Sequence, residues 1–146
     1  MLNHHNLDSY FKRFNQQHPF SYCVVDNFFT EEHAKRLSNE FPDFEDSKWH
    51  QYNNQIEIKK VSNNWNLFPK TTYETFTYLN SLEFTSLLSE LTGINVLLPD
   101  AGLNGGGWHI HAHGGKLNPH LDYSLHPKIP NYLAAVHQTT IIKKKI

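Results

Sequence analysis

Cysteine is nearly absent: Cys23 stands alone, so the chain cannot close an intramolecular disulfide and its fold must rest on packing. Arginine is scarce too. Arg13 and Arg36 are the only two, both far upstream. Basic residues form one short run, Lys143-Lys144-Lys145, and the formal net charge is −1, so no electrostatic footprint for nucleic acid or an anionic membrane is present. The unbroken apolar runs are a few residues long, far short of the roughly 20 that cross a bilayer as a helix. The opening Met1-Leu2-Asn3-His4-His5 lacks the charged and apolar regions of a secretory signal. These absences lead us to expect a cytoplasmic, reducing setting, with no nucleic acid and no membrane as partner.

Aromatic residues and histidine are plentiful. At 146 residues the length suits one domain, and although hydrophobic content is a modest 38%, ten Phe, seven Tyr and three Trp are available to fill a core. Eleven histidines occur, and five of them (His109, His111, His113, His120 and His126) fall within an eighteen-residue window, a bunching that scattered surface histidines would not produce.

Helical periodicity dominates the first two-thirds. Leu7, Tyr10, Phe11 and Phe14 predict a short amphipathic helix ahead of Pro19. Phe20-Ser21-Tyr22-Cys23-Val24-Val25 reads as a strand ended by Asp26-Asn27. Thr30 is a good N-cap, Glu31 and Glu32 suit the positive end of a helix, and Ala34, Leu37 and Phe41 line one face before Pro42. Residues 43–68, rich in Asn, Asp, Gln and Ser, read mostly as loop, with one alternating piece around Ile56-Glu57-Ile58. Helices over Thr71–Leu82 and Glu83–Thr92 follow, the second closed by Gly93. The period then changes to two, through Ile94–Leu98, Trp108–His113 and His120–Tyr123, with a loop over Pro99–Gly107 and a Gly114-Gly115 turn. Helices first and antiparallel strands afterwards predict an α+β domain, its sheet a sandwich or jelly roll buttressed by the N-terminal helices.

In a strand alternate side chains share a face, so His120 and Asp122 project together with Leu121 on the other side. An imidazole and a carboxylate so arranged supply two corners of the facial triad that holds non-heme iron(II). Taken in isolation, a His-x-Asp pair is usually a solvated pair at a strand end. Its context here, after a glycine turn and a histidine-bearing strand, favours the metal-binding reading. His109, His111 and His113 are expected to share a strand face, and a histidine row on a polar face is more often hydrogen-bonded or solvated than a ligand set.

Two stretches carry a resemblance to a known family. Phe20–Pro42, "FSYCVVDNFFTEEHAKRLSNEFP", resembles the opening strand, Asp-Asn-Phe turn and helix of the prolyl 4-hydroxylase-like branch of the iron(II)/2-oxoglutarate-dependent dioxygenases. Gly105–Pro127, "GGGWHIHAHGGKLNPHLDYSLHP", keeps that branch's spacing of Gly114, Leu117, His120 and Asp122. The resemblance implies a double-stranded β-helix fold, His120 and Asp122 as iron ligands, and Fe(II), 2-oxoglutarate and O2 as cofactor and cosubstrates. It implies hydroxylation of a C–H bond in a peptide or small-molecule substrate, and it makes His109 and His111 weak candidates for cosubstrate binding, near where the family lines its 2-oxoglutarate pocket.

The family's second histidine, and the Arg or Lys that salt-bridges the far carboxylate of 2-oxoglutarate, lie tens of residues further on, whereas 24 residues follow Asp122 here. His126 and His137 come too soon, and the tail "NYLAAVHQTTIIKKKI" does not resemble the family's next strand. The expectation is therefore a C-terminally truncated or frame-shifted chain, with residues 1–130 the first part of one domain and 131–146 an atypical tail. A jelly roll closes with about eight strands, and five or six are foreseen, so open sheet edges could pair with a second copy. Two other readings stand: a non-catalytic fragment or binding module of that fold, and a cupin-like metal protein using His109 and His111, which lacks an acid among residues 112–119. Cys23 reads as a buried small hydrophobe, and the three glycines at 105–107 as a flexible turn.

Overall fold

A computed structural model describes residues 2–3, 7–104 and 106–119 of the chain. Its contacts divide into two compact units: Met1–Glu40 with Pro69–Ala101, and Phe41–Phe68 with Gly102–Ile146. Within the described residues the architecture is α+β, with four α-helices and one antiparallel sheet.

The first unit holds the helices, α1 (Leu7–Phe11), α2 (Glu31–Glu40), α3 (Lys70–Leu79) and α4 (Leu82–Thr92). Each boundary has a local cause. The Ser81 hydroxyl caps α4 by accepting from the Phe84 amide at 3.1 Å, and Gly93, in the left-handed region at φ 71°, ends it with its N–H donating to the Ser89 carbonyl. Glu31–Lys35 and Glu32–Arg36 pair one turn apart along α2 on its exposed side. Leu79, Phe84 and Leu88 form the core with Leu2 and Leu97, and Phe11, Phe28, Phe29, Tyr78 and Leu87 pack around it. Burying each large apolar side chain contributes about 2–3 kcal/mol.

The face of α2 differs from expectation by one position. His33 is 3% exposed while Ala34 is exposed, because Phe29 and Thr75 receive the imidazole: the ring lies 5.3 Å from that of Phe29, and Nε2 meets Thr75 Oγ1 at 2.8 Å. Neither strand expected in this unit forms. Phe20 to Val25 makes no ladder, and within Ile94–Leu98 the residue Val96 adopts φ 61°, which a β-strand cannot accommodate.

The second unit holds the sheet, where the sequence reading had foreseen mostly loop. Strands β1 (His50–Asn53) and β2 (Glu57–Ser62) form an antiparallel hairpin, with His50 opposite Val61 and Asn53 opposite Ile58. Asn54 makes the turn: its side-chain oxygen accepts from the amides of Ile56 and Glu57 at 2.8 and 2.9 Å. On the other edge of β2 lie β3 (Trp108–Ile110) and β4 (Lys116–Leu117), both antiparallel to it.

These last two are one strand interrupted. From Lys60 to Ile58 β2 advances two residues, while its partner advances six, from Ile110 to Lys116, so the partner carries four extra residues in the looped-out segment 111–115. Gly114, at φ 79°, and Gly115 make the loop possible. A Cβ on Gly115 would meet the Ala112 oxygen and the His111 Cβ at 3.0 Å and the Ile58 oxygen at 3.1 Å. The expected continuous strand Trp108–His113 therefore ends at Ile110.

Candidate functional site

Strand alternation gives the sheet two unlike faces. One carries Ser62 and Trp108, both buried, in an aromatic cluster where the Trp108 ring lies 5.0 Å from Phe68, 5.9 Å from Phe41 and 6.3 Å from Trp49. That face is this unit's core. On it Lys60 clips the preceding loop, its Nζ donating to the Phe44 carbonyl at 2.6 Å over the Phe44 ring.

The opposite face is polar. The registers bring together His50 and Tyr52 of β1, Glu57, Lys59 and Val61 of β2, and His109 of β3. Lys59 Nζ meets the Glu57 carboxylate at 2.8 Å, and the two side chains are only 12% and 19% exposed. The same ammonium stands 5.9 Å from the centre of the Tyr52 ring, which packs edge-on against His50 at 4.8 Å.

His109 is half-buried on β3 directly across from Val61. Burial lowers its pKa, the Lys59 ammonium lowers it further, and a hydrogen bond to the Gly106 backbone works in the opposite sense. The imidazole is thus neutral at pH 7, one nitrogen a donor and the other an acceptor. Beside it stands a lysine held in place by a carboxylate. Such a face can hold a polar or anionic group by hydrogen bonds and charge in a partly desolvated setting.

The histidines expected to share one strand face do not. His109 alone lies on a strand; His111 and His113 are exposed in the looped-out segment, because the glycine turn lifts residues 111–115 off the ladder. Of the two weak cosubstrate candidates, only His109 faces the polar side of the sheet. His120 and Asp122 lie outside the described residues. Among the described residues no three His, Cys, Asp or Glu side chains gather as a metal-binding group. Cys23 is half-buried, and burial pushes its thiol pKa up, the reverse of an activated nucleophile.

Tyr52, Glu57 and Lys59 were missed by the sequence reading. Their signal was the alternation Glu57-x-Lys59-x-Val61, hidden in a stretch whose Asn and Gln content spoke for loop. Among the described residues no helix is long and apolar enough to cross a membrane. No protein-family model matches the chain, and searches of curated proteins and of solved structures returned no match.

Proposed function

We propose that this chain has the fold and chemistry of an iron(II)/2-oxoglutarate-dependent oxygenase of the prolyl 4-hydroxylase-like branch, acting on a C–H bond of a peptide or small molecule. In this reading the antiparallel sheet belongs to a double-stranded β-helix, and His120 and Asp122 supply an imidazole and a carboxylate to iron. The observation that carries the reading is the strand leading to that pair. Strand β4 is pinned to β2, with Lys116 opposite Ile58 and the Asn118 amide donating to the Ile56 carbonyl at 2.9 Å, and His120 follows two residues later.

The donor types fit the metal, since neutral imidazole and carboxylate are the ligands that iron(II) takes in a facial triad, whose third corner would be a second imidazole brought in by the fold. Bound iron and 2-oxoglutarate would supply the oxidising power, with O2 as the oxidant. What the chain's own residues contribute is binding and orientation. The Lys59–Glu57 pair and neutral His109 form a polar, half-buried surface on the sheet that leads to the pair, suited to hydrogen-bonding a carboxylate-bearing cosubstrate or a polar substrate group.

The test is anaerobic titration of the full chain with iron(II), followed by 2-oxoglutarate, read by calorimetry and by the visible charge-transfer band. We expect saturable iron binding, weakened roughly tenfold or more in His120→Ala and in Asp122→Ala, as loss of a direct ligand should exceed the effect of its supporting contacts. Equal iron affinity in the wild type and both variants would overturn the reading.

A further inference from the structure

Helix α2 docks with little apolar surface. Of its residues His33 alone is buried, Leu37 and Glu40 are half-buried, and none belongs to the core of Leu2, Leu79, Phe84, Leu88 and Leu97. Positions 33, 37 and 40 make one stripe, since four and seven residues return to the same face of a helix. The contacts of that stripe with α3 are polar on both sides. His33 Nε2 lies 2.8 Å from Thr75 Oγ1. Two turns on, the Glu40 carboxylate accepts from the Thr71 amide, the Thr72 amide and the Thr72 hydroxyl at 2.9, 2.6 and 2.8 Å. Thr72 and Thr75 are each 1% exposed. A histidine and a carboxylate against threonines thus join the two helices, where leucine and phenylalanine join α3 to α4.

Both contacts depend on charge state, and acid acts on them in the same direction. Burial chiefly disfavours the His33 imidazolium; the positive chain terminus and Arg36 disfavour it further, against the opposing pull of Glu40 and Glu74. Lys70, the remaining charged group in the first turn of α3, stands 3.9 Å from Glu74. A released histidine titrates near 6.5 and the docked one lower, so docking weakens as pH falls below about 6.5. For Glu40 burial works upward, but the bonds from Thr71 and Thr72 outweigh it, so its share of the docking is lost at lower pH, as the carboxylate protonates.

We propose that α2 is an acid-released element: mild acidification detaches Glu31–Glu40 from α3 as a unit, while α3 and α4 keep their packing on the core. The contacts given up are hydrogen bonds of threonine, which water can replace, so opening here costs less than opening the apolar core. The proposal does not depend on the oxygenase reading, because none of its residues lies on the sheet.

Hydrogen exchange of the full chain, followed by mass spectrometry between about pH 7.5 and about pH 4.5 and corrected for the intrinsic rate, tests it. Amides of 31–40 should be less protected than those of 82–92 at neutral pH and lose up to about thirtyfold further protection by about pH 5, the factor by which a released imidazole is protonated there. They should reach the level of an unfolded chain at a pH where 82–92 are still protected. His33→Gln should erase the step that begins near 6.5 and leave the one in the carboxylate range; Glu40→Gln should keep the first and erase the second. The wild-type profile decides without either variant. Loss of protection in 31–40 and 82–92 together, protection of 31–40 that does not change with pH, or the wild-type step surviving in folded His33→Gln would each overturn the proposal.

Discussion

Helix α3 begins without a cap of its own: Pro69 occupies the N-cap position and makes no side-chain hydrogen bond. The task falls to Glu40 at the end of α2. Its carboxylate accepts from the Thr71 amide at 2.9 Å, the Thr72 amide at 2.6 Å and the Thr72 hydroxyl at 2.8 Å. A charged acceptor at the positive end of a helix is stabilised by the dipole as well as by these bonds. Glu40→Ala strands three donors, two of them on Thr72, which is 1% exposed. Loss of a charged acceptor facing buried donors costs about 1–3 kcal/mol, and with three bonds involved we expect a loss near the top of that range, about 3 kcal/mol. At an m-value of about 1.5 kcal/mol/M, the urea midpoint should fall by about 2 M. Glu40→Gln keeps one acceptor and should lose roughly half as much. Acidity supplies a second axis. Burial works to raise the Glu40 pKa, but the hydrogen bonds from Thr71 and Thr72 outweigh it and the net shift is downward. With a folded pKa below the unfolded one, the stabilisation is whole above the ordinary carboxylate range near 4.3 and disappears as pH falls through the folded value. The gap between wild type and Glu40→Gln should therefore close on acidification. A Glu40→Ala stability within about 0.5 kcal/mol of wild type at pH 7, or a gap that stays constant into acid, would refute the capping argument.

Two further substitutions probe the two units separately. His33 is buried, with Nε2 2.8 Å from Thr75 Oγ1, and its pKa is lowered, chiefly by desolvation. Stability should be whole above the unfolded histidine value near 6.5, fall by up to about 1.4 kcal/mol per pH unit as pH drops from there towards the lower folded value, and level off below it. Urea midpoints of His33→Gln should lack that slope, and an identical pH dependence would contradict the assignment. In the other unit, the buried Ser62 hydroxyl has no hydrogen-bond partner among the described residues, so Ser62→Ala should be neutral or stabilising by up to about 1 kcal/mol. A clear loss of stability on thermal unfolding would show that the hydroxyl is satisfied in solution.

The helical half was legible because its signals are local. The C-terminal glycine and the spacing of Phe84, Leu87 and Leu88 are readable within one or two turns, and α4 lies within a residue of the expected Glu83–Thr92, while its Ser81 cap stands where the preceding helix was expected to continue. Strands are settled by their neighbours, and here the reading failed in both directions. Phe20–Val25 has strand composition but no partner strand among the described residues, whereas Glu57–Ser62, with two lysines and a glutamate, sits between strands at the centre of the sheet. Its polar residues are tolerated because Glu57 and Lys59 neutralise each other and Lys60 reaches a carbonyl. Of the site, His109 was within reach of sequence reasoning. Its separation from His111 was not, since a four-residue excursion at Gly114 and Gly115 appears only when the register is known.

The polar face needs a reason beyond stability. Desolvating an ion pair such as Lys59–Glu57 generally offsets what its attraction contributes, and apolar residues of similar size hold a sheet at least as well. The other face of the same strands shows what this chain builds where packing alone is required: Phe68, Phe41 and Trp49 gathered around Trp108. Opposite that cluster stand an ion pair, a tyrosine ring and a neutral imidazole whose pKa is lowered first by burial and then by the lysine. A half-buried histidine with a lowered pKa beside a largely buried ion pair is a pattern that binding and catalysis produce, and that structural ion pairs produce as well. The two origins differ in what the face should do when a ligand arrives. A purely structural pair is indifferent to cosubstrate, whereas a binding face should make the titration of His109 respond to 2-oxoglutarate while the aromatic cluster on the far side stays unchanged.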